Sequence, residues 1–69
     1  MSAIALTPLG KSVAENTQGT GPKFTVLSML YEAESPVDFE EVMDETHMSE
    51  EKASMVVRAL INQGYVKEI

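Results

Sequence analysis

The sequence predicts a small, mostly helical α+β domain: three to four helices and a two-stranded antiparallel sheet made from the two ends of the chain. Three observations predict it. Helix-start signals recur at Thr7-Pro8, Pro22, Asp38 and Ser49, each followed by apolar residues at helical spacing. The run SEEKASMVVRALINQGYV, from Ser49 to Val66, reads as a capped helix that stops at Gly64 and turns into a strand. Finally, Ala3–Leu6 (AIAL) has strand character, and its backbone groups need a partner such as the strand expected near 65–69. At 69 residues the chain is read as one domain, 1–69. A chain this short buries only roughly 60% of its unfolded surface.

Taken in order, the first strand spans 3–6. Thr7 is the expected cap of a helix near 8–15, with Pro8 at its first position, where the missing N–H costs nothing. Leu9, Val13 and Ala14 give that helix a narrow apolar stripe, and Gly10 weakens it. Residues 16–22 (NTQGTGP) read as a flexible loop; no Lys-Ser/Thr follows at the spacing of a phosphate-binding loop. A second helix, near 23–34, places Phe24, Leu27, Leu30 and Tyr31 on one face, widened by Val26 and Met29. Ser35-Pro36 ends it. Asp38 is the expected cap of a short helix near 39–46, with Phe39, Val42 and Met43 inward and Glu40, Glu41, Asp44 and Glu45 outward. Thr46-His47-Met48 is a tight turn, with Met48 expected to be buried and His47 suited to a left-handed backbone. In the last helix, near 49–63, Ala53, Val56, Val57 and Leu60 form the inner face. Glu51, Met55, Arg58 and Asn62 form the outer one, flanked by Ser54.

The formal charge is −6, and it is unevenly spread. Residues 38–63 carry two cations, Lys52 and Arg58, against the acids Asp38, Glu40, Glu41, Asp44, Glu45, Glu50 and Glu51, a net of −5. There is no cysteine, so neither a disulfide nor a thiolate metal site is expected. No apolar run approaches the about 20 residues of a membrane span, and MSAIALTPLG lacks the basic start of a signal peptide. A cytoplasmic chain with no membrane partner is the expectation.

The stretch VDFEEVMDETHMSEEKASMVVRALINQGYV has the layout of a winged helix-turn-helix domain: short helix, tight turn, longer helix, then Gly-aromatic-Val into a strand. It resembles the MarR-like regulators, whose recognition helix ends in Leu-x-x-x-Gly before the wing; here that is Leu60 to Gly64. Leu6-Thr7-Pro8-Leu9-Gly10 is similar to their Leu-Thr-x-x-Gly segment. In the family that segment follows the wing, whereas here it precedes the first helix. The likeness is restored if Ala3–Leu6 pairs with Tyr65–Ile69.

The resemblance implies a winged-helix-like regulatory module whose recognition surface is Lys52, Ser54, Met55, Arg58 and Asn62. Arg58 would suit guanine and Asn62 adenine in a major groove. The charge argues the other way, because DNA affinity comes largely from neutralised phosphates. A protein of the transcription or replication machinery, bound by an acidic adaptor with Met55 and Ile61 as apolar contacts, is the alternative partner. A homodimer is compatible with so small a core. No enzyme, catalytic residue, cofactor, metal site or small-molecule substrate is expected: His47 stands alone, and the carboxylates lie on solvated faces where nothing separates their pKa values.

Overall fold

The computed structural model describes residues 3–16 and 19–69. Seven elements follow in order: β1 (Ala3–Leu6), α1 (Pro8–Asn16), α2 (Pro22–Ala33), β2 (Val37–Asp38), α3 (Phe39–Thr46), α4 (Glu50–Asn62) and β3 (Val66–Glu68). The fold is α+β and mostly helical, as its patterning predicts. Thr17 and Gln18, in the expected flexible loop, lie outside the described residues.

The sheet has three strands, not the two expected. Its order is β2-β1-β3, antiparallel throughout. Ile4, Ala5 and Leu6 pair with Glu68, Lys67 and Val66, which joins the two ends of the chain as expected. On its other edge β1 pairs with Val37 and Asp38. A two-residue strand between Pro36 and a helix is too short to show any alternation, which is why Val37 reads as a lone apolar residue. It is core: Val37 is buried against Ile4, Val26, Leu27, Leu30, Val42, Val57, Leu60 and Val66. Ile4, on the central strand, is fully buried.

Each cap has a local cause. The Thr7 hydroxyl accepts from the Gly10 amide at 3.0 Å, which opens α1 as expected. Ser49 does the same for the Lys52 amide at 3.2 Å at the start of α4. Asp38 holds the extended N-cap backbone of α3 without the side-chain hydrogen bond anticipated for it. α2 begins one residue early, at Pro22, and closes on Glu34 in the left-handed region (φ 56). His47 takes the same conformation (φ 58) and makes the turn between α3 and α4. At the end of α4, Gly64 has φ 81. The Gly64 amide donates to Ile61 and that of Tyr65 to Leu60, both at 3.0 Å, a Schellman closure.

Packing corrects two inward assignments, Leu9 and Met48, and one outward one, Ile61. Leu9 is 53% exposed; α1 turns Gly10 fully inward and packs half-buried Val13 and Ala14 against the core. A Cβ at Gly10 would lie 1.8 Å from the Tyr65 carbonyl oxygen, so only glycine lets α1 approach the chain leaving α4. The Thr7 hydroxyl donates to the Gly64 carbonyl at 2.5 Å, and the Thr7 amide donates to that of Tyr65 at 3.1 Å. Met48 is half-buried, not buried, and Ile61 packs on the core.

Candidate interaction face

α4 is set by its inner side. Ala53, Val57 and Leu60 are fully buried, so the 3.6-residue period turns Glu51, Met55, Arg58 and Asn62 outward as one stripe. All four are exposed, as is Lys52, whereas Ser54 is half-buried. Lys52 and Ser54 stand on opposite flanks of the stripe. The five anticipated surface residues thus share one helix, but Lys52 and Ser54 do not face the same way.

Met55 is 72% exposed, more than the other large exposed hydrophobics, Leu9 and Ile69 at 53% and 60%. It therefore stands clear of the core, while Ile61, its expected companion, is half-buried and packs against the core. One helical turn from Met55 stand Glu51, Lys52 and Arg58, and further acids lie towards the ends of the face. Ser49, Glu50, Glu51 and Ser54 line an open groove at the start of α4. Glu50 and Glu51 are favoured there because the helix dipole is positive at that end. Arg58 and Asn62 line a second groove with Ile61 and Glu68.

Glu68 is the member that the sequence does not reveal. It belongs to β3, where it pairs with Ile4 of β1, and it lies beside the last turns of α4. The groove therefore carries a carboxylate as well as the Arg58 guanidinium. The acids of α3, Glu40, Glu41, Asp44 and Glu45, are exposed as anticipated. Among the described residues the core holds no charged or polar side chain, and no cluster of three or more His, Cys, Asp or Glu is placed to hold a metal ion. No helix among them is long and apolar enough to cross a membrane.

Compared with protein-family models, curated proteins and solved structures, the chain has no significant match.

Proposed function

We propose that this chain is a small winged-helix-type regulatory module that binds a protein with a basic surface through the outer face of α4. The observation that carries this reading is Met55, 72% exposed at the middle of that face. Glu50 and Glu51 lie at its N-terminal end and Glu68 beside its C-terminal end. An adaptable apolar anchor, with Glu51, Lys52 and Arg58 one helical turn away and carboxylates towards both ends of the face, suits a partner that offers a hydrophobic notch with lysines or arginines beyond its ends.

The winged-helix part of the reading is supported by the sheet. β1, which leads into Leu6-Thr7-x-x-Gly10, lies directly beside β3, which follows α4. On this reading β1 would take the place of the strand that precedes this segment in MarR-like regulators. Thr7 and Gly10 have physical reasons to be there: both secure the start of α1 against Gly64 and Tyr65.

DNA is the second reading, favoured by Arg58 and Asn62, which share one exposed groove. Against it stand seven acids to two cations over residues 38–63. A homodimer would present two such helices, and would double the negative charge as well.

Met55→Ser tests the proposal without disturbing the core. The immobilised wild-type chain should retain basic proteins from a nuclease-treated lysate, and the variant should retain them at least about tenfold less, the size of a modest interface hot spot. Equal capture by both chains, or capture abolished by the nuclease, would contradict it.

A further inference from the structure

α1 and α2 pack side by side, and with the end of β1 they leave a groove of about 340 Å³ lined by Leu6, Lys11, Glu15, Leu30, Tyr31 and Glu34. Leu30 closes the floor and is itself buried, so the apolar surface that the groove offers comes from half-buried Leu6 and the ring of half-buried Tyr31. The Tyr31 hydroxyl donates to Glu15 Oε2 at 3.1 Å, which holds that carboxylate beside the ring. An ionised carboxylate has lone pairs for several donors, so Glu15 keeps acceptor capacity after this bond. The Tyr31 hydroxyl is pushed above its ordinary pKa, first by the bond to Glu15, then by the charge of Glu15, with smaller contributions from desolvation and from Glu34.

We propose that this groove seats a single lysine or arginine side chain of the basic partner, its stem against Leu6 and the ring of Tyr31 and its cationic head between Glu15 and Glu34. The inference rests on the partner being basic, and it places a second contact away from the outer face of α4. A long cationic side chain matches the groove in both halves, because its methylenes prefer apolar surface while its head prefers acceptors and an aromatic ring. The carboxylates of α3 offer charge without this combination. Lys11 lines the same groove and is a built-in competitor for the two carboxylates. That gives the site a sign that a merely structural contact would lack: removing Lys11 should strengthen binding.

The test uses the full chain, isotopically labelled, and a capped glycine–serine peptide with one central arginine; the same peptide with neutral citrulline is the control. The arginine peptide should give saturable chemical-shift changes at Tyr31, Leu30 and Glu15, weakened by added salt, and the citrulline peptide should give none. Glu15→Gln and Glu34→Gln should each weaken binding about fivefold, the size of one solvent-screened charge contact, and Lys11→Ala should tighten it. A glutamine variant that unfolds would show in its own spectrum, and Tyr31→Phe, which keeps the ring, should then weaken binding in its place. Three results would overturn the proposal: no saturable shift at Tyr31, equal shifts with citrulline, or shifts confined to the groove of Phe24, Met29, Glu32 and Glu45 between α2 and α3. If capture through Met55 persisted in that case, the groove would be lost and the reading of α4 would stand.

Discussion

Replacing Gly10 with alanine should destabilise the domain by about 3 kcal/mol, lowering its melting temperature by roughly 10–20 °C. The sign makes this informative. In an ordinary helix the same change stabilises, because alanine gives up less backbone freedom than glycine on folding. Here the new Cβ would lie 1.8 Å from the Tyr65 carbonyl oxygen and 2.7 Å from its carbon. Both are backbone atoms and cannot rotate aside. Relief requires α1 to lift from the end of α4, which would stretch the bonds from Thr7 to Gly64 and Tyr65. For a chain of this size, whose whole stability is of the order of 3–10 kcal/mol, that is a large share. A thermal melt by circular dichroism measures it, and an unchanged or higher midpoint would mean that α1 does not sit on Tyr65.

Removing the first six residues should have the larger effect and unfold the chain. β1 is the central strand, so its loss deprives both β2 and β3 of their partner. It also removes Ile4, which is fully buried. Ile4→Ala isolates the packing part, expected to cost about 2–5 kcal/mol, and leaves the strand pairing in place. The deletion should give a collapsed amide spectrum and Ile4→Ala a dispersed one with a lowered melting point. A well-dispersed spectrum from the deleted chain would show that the sheet does not depend on its N-terminal strand.

Much of this fold is legible in the residues because local signals and packing agree. Thr7, Ser49 and Gly64 mark element ends by side-chain or backbone chemistry that needs only neighbours in sequence. The inner face of α4 follows from period alone: Ala53, Val57 and Leu60 are where the stripe puts them. What stays hidden depends on contacts across the chain. Gly10 reads as a weak point in a helix, and only the nearness of Tyr65 turns it into a requirement. The Leu-Thr-x-x-Gly pattern was the available signal for that role. Val37 becomes a strand residue because β1 has a second edge to fill. Leu9 reads as inward because it is apolar, but the close approach at Gly10 takes that side of the helix. In the candidate face, the stripe of Met55, Arg58 and Asn62 could be read directly, whereas Glu68 belongs to β3 and enters because it lies beside the last turns of α4.

That added carboxylate sharpens the question of partner, because Arg58 is one of only two cations in residues 38–63. A fluorescence-anisotropy titration of mixed-sequence duplex DNA at low salt, with the wild-type chain and Arg58→Ala side by side, addresses it most directly. The outer face of α4, read as a surface for a basic protein, predicts no saturable DNA binding by either chain. A saturable complex that weakens with salt and is lost in Arg58→Ala would contradict that reading and make α4 a DNA-recognition helix.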